Sequence, residues 1–125
     1  MEEQSKEDFF LCLKEQGCNI EKALERFFYD KELYIQCYSK LLKSEDFLQL
    51  QESVKKENKG TSLKLTHALK GVLANLELIS MHSVVLEIES DIKQHSWKEG
   101  YLKCMELAKI KAFYSNILQE SEGKK

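Results

Sequence analysis

Apolar residues recur at intervals of three and four over long stretches of this chain, and this periodicity constrains its fold more than any other feature. The clearest stripe consists of Met81, Val84, Val85, Ile88 and Ile92. Residues with this spacing lie on one face of an α-helix. The 125 residues include no proline and only 5 glycines, so the chain lacks the turn residues that many short strands require. The sequence therefore predicts an all-α fold.

The same periodicity and its flanking polar residues divide the chain into helical segments. We predict helices over residues 6–17, 20–29, 31–43, 44–54, 62–76, 81–92 and 97–118. Asn19 and Asp30 can cap the second and third helices, and Ser96 with Glu99 has the spacing of a capping box. The charged stretch 55–61 is the best linker candidate. Residues 119–125 form a polar tail, which we expect to be frayed from Ser121 onwards.

Long amphipathic helices with short connections pack most simply as an antiparallel four-helix bundle. We therefore predict such a bundle with one or two short extra N-terminal helices. A chain of 125 residues is long enough for one core and too short for a second catalytic lobe. The expected organisation is a single domain over residues 1–125, with its core at about 18–118.

Charge and cysteine usage exclude several classes of function. The net charge is −2, and no basic cluster exceeds a pair of residues, so nucleic acid binding is not expected. No apolar run reaches the length of a membrane span, and the acidic start is unlike a signal peptide. We therefore expect a cytoplasmic protein, or a cytoplasmic domain of a larger one, without membrane insertion.

The cysteines and histidines do not suggest a disulfide framework or a metal site. Cys12, Cys18, Cys37 and Cys104 form no C-x-x-C pair, and an extracellular interpretation with two disulfides is less consistent with their apolar helical surroundings. We expect reduced packing residues. The other histidines are too far along the chain from His67 to form a metal pair on one helix. We assign no metal and no cofactor of the protein's own.

The helix predicted over 62–76 carries the candidate site. Its apolar stripe is formed by Leu65, Leu69, Val72 and Leu76. His67 falls almost opposite this stripe, at about 100° per residue, so it should face water. At the three- and four-residue spacings that place helical side chains together, its neighbours include Lys64, Lys70 and Gly71.

This arrangement suits a histidine that accepts a phosphoryl group from another protein. A neutral imidazole, which is well populated near neutral pH, keeps one nitrogen lone pair free for attack. Lys64 and Lys70 could offset the charge of the phosphoryl group, and Gly71 leaves room for a partner's backbone. Glycine also costs a helix interior about 1 kcal/mol relative to alanine, so its presence there needs a reason.

A docking partner should also meet apolar side chains near His67, because a transient interface still needs a desolvated centre. Leu63, Ala74 and Phe9 are the candidates for this patch. Leu63 has an alternative explanation, since the first helix could simply cover it. Taken singly, an exposed histidine, a surface lysine and a helical glycine are all common, but their combination at this spacing favours a functional site.

Three segments of the chain resemble histidine-containing phosphotransfer (HPt) domains of two-component phosphorelays. The family pattern H-x-L-K-G followed by small residues is matched by His67–Asn75, the early helix by Ile20–Phe27, and the leucine-glutamate ending of the next helix by Leu86–Glu89. The resemblance covers roughly residues 18–118. It implies a four-helix bundle whose exposed histidine takes a phosphoryl group from a receiver-domain aspartate and passes it to another receiver.

The resemblance also implies the roles of individual residues. By position His67 would be the phosphorylated residue, Lys70 its basic neighbour and Gly71 the clearance glycine, while Glu89 would face the histidine helix without an assigned role. The receiver would supply magnesium and most catalytic groups, so the chain would be a phosphocarrier without kinase activity of its own. Expected partners are receiver domains and a sensor or hybrid histidine kinase. We expect a monomer.

One position departs from the family pattern. The family usually has a glycine ten residues after the histidine, where this chain has Glu77. A left-handed backbone would cost glutamate roughly 1 kcal/mol or more. We therefore expect either a rebuilt turn or a helix that continues further before it breaks.

Two other functions compete with the phosphocarrier. A histidine-kinase dimerisation domain usually follows its histidine with an acidic residue and, a turn later, a proline, but here Ala68 and Gly71 occupy those places. The second alternative is an HPt-like bundle that is not phosphorylated and acts as a structural or receiver-binding module. Such a bundle would be expected to have lost the histidine, the lysine or the glycine, and all three are present.

Overall fold

The computed structural model describes residues 1–123, within which the chain forms seven helices and no strand. This confirms the all-α prediction. The helices are α1 (Glu3–Glu15), α2 (Ile20–Arg26), α3 (Lys31–Leu42), α4 (Asp46–Lys55), α5 (Lys59–Asn75), α6 (Ile79–Lys93) and α7 (Trp97–Glu122).

Asparagine and aspartate side chains set the beginnings of three helices. Oδ1 of Asn19 accepts a hydrogen bond from the Lys22 amide at 3.1 Å, and Oδ1 of Asp30 accepts one from the Leu33 amide at 3.0 Å. Both predicted caps are therefore confirmed. Asn58 caps α5 in the same way, which lets that helix begin at Lys59, three residues earlier than predicted.

The predicted capping box before α7 is wrong. Ser96 occupies the N-cap position, but its side chain makes no capping hydrogen bond. In a capping box the glutamate side chain accepts a hydrogen bond from the N-cap amide. Here the Ser96 amide already donates to the Asp91 carbonyl at 2.8 Å, as part of the turn that ends α6. That amide is therefore unavailable to Glu99.

The connections after α4, α5 and α6 share one geometry. Each contains a residue in the left-handed conformation: Glu57 (φ 55), Glu77 (φ 58) and His95 (φ 58). After α5, for example, the Leu78 amide donates to the Leu73 carbonyl at 3.0 Å. This six-residue hydrogen bond defines a Schellman motif, which ends a helix sharply and frees the next residue to begin another.

Helices α4 to α7 contact one another in a closed ring: α4 touches α5, α5 touches α6, α6 touches α7, and α7 touches α4. Such an arrangement is compatible with a helical bundle. Helices α1 and α3 pack against α7, and α2 contacts α1. The buried interior is mainly apolar and includes Leu69, Leu73, Val85, Ile88 and Leu107.

Aromatic side chains join the N-terminal helices to α7. The rings of Phe9 and Tyr38 meet edge to face with their centroids 4.9 Å apart. The Tyr38 hydroxyl donates to the Tyr114 carbonyl at 2.6 Å in the buried interior. Burial of Tyr38 raises the pKa of its hydroxyl far above its ordinary value, so it stays a hydrogen-bond donor at physiological pH.

Other predicted helix boundaries also need correction. The first helix begins at Glu3, so Ser5 lies within it and is buried. The second helix ends at Arg26, because Phe28 and Tyr29 adopt left-handed conformations with φ 55 and 59. The final helix continues to Glu122, and the buried Ser121 hydroxyl donates to the Ile117 carbonyl at 3.0 Å, so fraying from Ser121 is wrong. Lys124 and Lys125 lie outside the described residues.

The four cysteines are free thiols, as expected. Cys18 and Cys104 are buried, and Cys12 and Cys37 are partly buried. Burial raises the pKa of the Cys104 thiol to about 12. Cys104 is therefore a protonated packing residue at neutral pH.

Candidate functional site

His67 lies on the exposed side of α5, as predicted. The buried side of this helix consists of Ser62, Thr66, Leu69 and Leu73. The centre of this buried side is rotated by about 60° from the centre of the predicted stripe, at roughly 100° per residue. Val72 is consequently 42% exposed rather than buried.

The error in the predicted stripe has a chemical cause. Ser62 and Thr66 are polar, so a hydropathy pattern assigns them to the surface, yet both are buried and hydrogen bonded. The Ser62 and Ser53 hydroxyls lie 2.7 Å apart, and the Thr66 hydroxyl donates to the Leu63 carbonyl at 3.0 Å. A buried hydroxyl with a partner avoids most of the desolvation penalty that would otherwise keep it at the surface.

Lys70 is engaged in an ion pair with the neighbouring helix. Its Nζ lies 2.8 Å from Oε2 and 3.0 Å from Oε1 of Glu89 on α6. Lys93 is 3.7 Å from the same carboxylate, whose side chain is only 15% exposed. The hydrogen bond from Lys70 is the main reason why the pKa of Glu89 lies below its ordinary value, and the charge of His67 adds a smaller effect in the same direction.

This ion pair gives Glu89 a structural role, which the sequence analysis had left unassigned. Lys70 and Glu89 are 19 residues apart in the chain, and the pair fixes α5 against α6 one turn beyond His67. Lys70, which the sequence placed beside His67 as a cation that could offset phosphoryl charge, is therefore already paired with a carboxylate.

Lys64 is the second cation near His67 and lies one turn before it on the same side of α5. Its side chain is exposed, and no ion pair holds it within residues 1–123. His67 likewise makes no hydrogen bond to another residue in that part of the chain. Both side chains are therefore free to contact an incoming group.

Gly71 is exposed, and a methyl group built on it would meet no atom within 4 Å. The helix packing of this chain therefore does not require a glycine at this position. The alternative explanation, that Gly71 permits two helices to approach each other, is excluded for the contacts seen here. Glycine weakens a helix interior, and the packing of residues 1–123 gives no steric reason for a glycine here.

The three residues proposed for an apolar docking patch have different surroundings. Ala74 is exposed, and Leu63 is partly buried against the core. Phe9 is fully buried, with its ring against Phe10 and Tyr38. The assignment of Phe9 to a docking surface is therefore wrong, because the α1 face that carries it packs into the interior.

The end of α5 after the candidate site is bound to the N-terminal helices. Nη1 of Arg26 donates to the carbonyls of Ala74 at 2.9 Å and Asn75 at 3.3 Å. The Tyr34 hydroxyl donates to the Leu76 carbonyl at 2.8 Å. These side chains add donors to the carbonyls at and just after the end of α5, whose partial negative charge attracts a cation.

The same arginine explains how Glu77 occupies a position that favours glycine. The helix ends at Asn75 and Glu77 takes φ 58, so both expected alternatives, a rebuilt turn and a longer helix, are wrong. The Glu77 carboxylate lies 2.8 Å from Nη1 of Arg26. This contact holds the Glu77 side chain at the turn, where the left-handed backbone costs a glutamate about 1 kcal/mol.

Comparison with protein-family models, curated proteins and solved structures gives no match for this chain. Within residues 1–123, no helix combines the length and the apolar character of a membrane span. The same residues bring together no group of three or more histidine, cysteine, aspartate or glutamate side chains that could hold a metal ion.

Proposed function

We propose that this chain is a phosphocarrier of a two-component phosphorelay. In this proposal His67 accepts a phosphoryl group from the aspartyl phosphate of one receiver domain and passes it to another receiver. The observation that carries the proposal is the surface of α5, where an unbonded, exposed histidine lies beside the open space at Gly71 and the unpaired Lys64.

Phosphoryl transfer requires few catalytic groups from the carrier itself. A nitrogen lone pair of His67 forms the N–P bond while the aspartyl O–P bond breaks in line, which returns a carboxylate to the donor receiver. The second transfer reverses these roles on the acceptor. Such transfers depend mainly on positioning and on neutralising the charge of the phosphoryl oxygens. The receivers would supply magnesium, so the chain needs no kinase activity of its own.

Each neighbour of His67 then has a distinct task. Lys64 is the mobile cation that can follow the phosphoryl oxygens, whereas Lys70 adds charge from a position fixed by Glu89. Gly71 allows the receiver backbone to approach within one turn of the imidazole. Ala74 and the exposed part of Leu63 supply the apolar part of the contact.

The proposal also covers the arrangement of the helices, the cellular location and the partners of the protein. The ring of contacts among α4, α5, α6 and α7 is that expected of an antiparallel four-helix bundle, with α1 to α3 added at the N-terminus. A sensor or hybrid histidine kinase in the cytoplasm would begin the relay, and receiver domains would be the direct partners.

The first test is phosphoryl transfer from a panel of phosphorylated receiver domains to the protein. The chain contains three histidines, so His82→Gln and His95→Gln are matched controls for His67→Gln. We expect acid-labile, base-stable label on the wild type and on both controls, and none on His67→Gln. Label on His67→Gln would contradict the assigned site.

The same variants separate the carrier from the competing binding module. A protein that binds receivers but takes up no label from any of them would be a receiver-binding bundle, and the proposal would be wrong. Binding measured by calorimetry for His67→Gln should remain close to the wild-type value, because removal of the acceptor nitrogen leaves the docking surface intact.

A further inference from the structure

A four-residue stripe on the outward side of α7 combines two exposed apolar residues with two opposite charges. Leu102, Glu106, Lys109 and Phe113 follow one another at intervals of four, three and four residues. At roughly 100° per residue they share one helix face. Leu102 is 55% exposed and Phe113 is 46% exposed. The edge of the Phe113 ring meets that of Tyr114, with the ring centroids 5.6 Å apart, and about half of the Leu102 and Phe113 side chains faces solvent.

The order of residues in this α7 stripe is self-complementary. When the helix is placed antiparallel to a copy of itself, with the two-fold axis between residues 107 and 108, Leu102 faces Phe113 of the copy. In the same register Glu106 faces Lys109 of the copy. A two-fold interface repeats every contact, so it would contain two apolar contacts and two ion pairs.

The two charged residues are available for such contacts. Glu106 and Lys109 are both exposed, and neither takes part in an ion pair within residues 1–123. The main contacts of α7 within the ring are with α4 and α6 rather than α5. A contact through the outward side of α7 therefore leaves His67 accessible on each copy.

We propose that the α7 stripe is the interface of a weak homodimer, and that the occupant of this surface is a second copy of the same chain. The charge order selects an antiparallel partner helix, because a parallel copy in register would place like charges opposite each other. This replaces the monomer expected from the sequence. The proposal is independent of phosphoryl transfer.

The size of the stripe sets the strength of the dimer. The twelve residues from Leu102 to Phe113 span about 18 Å of α-helix, which is short compared with an interface of standard size. The dimer should therefore be transient. We expect sedimentation equilibrium to show a reversible monomer–dimer equilibrium at protein concentrations between about 10 µM and 1 mM.

Charge reversal tests the register. Glu106→Lys places two lysines opposite each other at both ion-pair positions, and Lys109→Glu places two glutamates together there, so each variant should raise the dimer dissociation constant about tenfold or more. A mixture of these two variants should recover wild-type association, since both pairs are again opposite in sign. The double variant Glu106→Lys/Lys109→Glu should also recover it.

A matched control uses the same residue types at the same spacing on another helix. Glu52 and Lys55 on α4 are both exposed, so Glu52→Lys and Lys55→Glu change the net charge equally without touching the α7 stripe. They should leave dimerisation unchanged. All of these substitutions are at the surface, and circular dichroism would verify that each variant is folded.

Three results would overturn the proposal. The first is a wild-type protein that stays monomeric up to about 1 mM, which would show that a second copy of the chain does not occupy the stripe. The second is a dimer that single charge reversals do not weaken, or that the control variants weaken equally. The third is a mixture of Glu106→Lys and Lys109→Glu that associates no better than either variant alone.

Discussion

Replacing Gly71 by alanine should make the protein more stable and a poorer phosphocarrier at the same time. Gly71 lies inside α5, where alanine is favoured over glycine by about 0.8–1.0 kcal/mol. The added methyl group meets no atom within 4 Å, so no steric cost reduces this gain. The site is exposed, so the methyl group also gains little from burial. We expect the free energy of unfolding to rise by about 1 kcal/mol.

For a chain of this length, an increase of about 1 kcal/mol corresponds to a rise in Tm of roughly 3–5 °C. Thermal unfolding followed by circular dichroism would measure it. Phosphoryl transfer from a receiver should slow about tenfold or more, because a methyl group within one turn of His67 holds the receiver away and small displacements are costly for in-line transfer. Rapid-quench kinetics would measure this rate.

Asn116→Ala is a suitable control for the Gly71 variant. Asn116 is exposed on α7, and alanine should stabilise that helix by about 0.5 kcal/mol without altering the surface of α5. Its transfer rate should equal that of the wild type. If Gly71→Ala were stabilised but transferred as fast as the wild type, Gly71 would not provide clearance. If Gly71→Ala were destabilised, the conclusion that a methyl group fits at this position without steric cost would be wrong.

Three further predictions concern the contacts that hold the site in place. Arg26→Ala should lower the free energy of unfolding by about 1 kcal/mol in urea titrations, since the end of α5 loses its cation. Adding Glu77→Gly to this variant should recover about 1 kcal/mol, because it removes the left-handed glutamate. A further loss of stability in the double variant would contradict this account. Tyr38→Phe should cost about 1 kcal/mol through the lost hydrogen bond to α7, and an unchanged urea midpoint would argue against it. Lys70 lowers the pKa of Glu89 in the folded state. The ionised Glu89 therefore stabilises the fold above its unfolded-state pKa of about 4.3, and this stabilisation is lost as the pH falls through the folded-state pKa. Glu89→Gln should therefore be less stable than the wild type at pH 7, and this difference in the free energy of unfolding should shrink in acid. An equal difference at pH 7 and in acid would exclude the ion pair as its cause.

Sequence reasoning succeeded where the physical cause lies within one helical turn. The caps at Asn19 and Asp30 bond to amides three residues away, so the sequence contains both partners. The exposure of His67 followed from local spacing in the same way. The boundary errors arose where a local pattern was incomplete. At the end of α2, for example, two aromatic residues adopt a left-handed conformation that no neighbouring residue signals.

The errors at the candidate site have a different origin, which is the burial of residues by distant parts of the chain. Phe9 resembles any apolar residue of an amphipathic helix, and only its contact with Tyr38 shows that it is interior. Ser62 and Thr66 shifted the buried face of α5 because hydroxyl partners compensate their burial. A hydropathy pattern contains neither kind of information.

The helical class, most of the helix positions and the surface that carries His67, Lys64 and Gly71 could be read from the sequence, because helix periodicity and capping depend on residues close together in the chain. The pairing of Lys70 with Glu89, and the contact of Arg26 with the end of α5, 48 residues away, became visible only in the packed fold. These contacts depend on which helices pack together, since charges and hydrogen bonds act over a few ångströms of space whatever their separation in sequence.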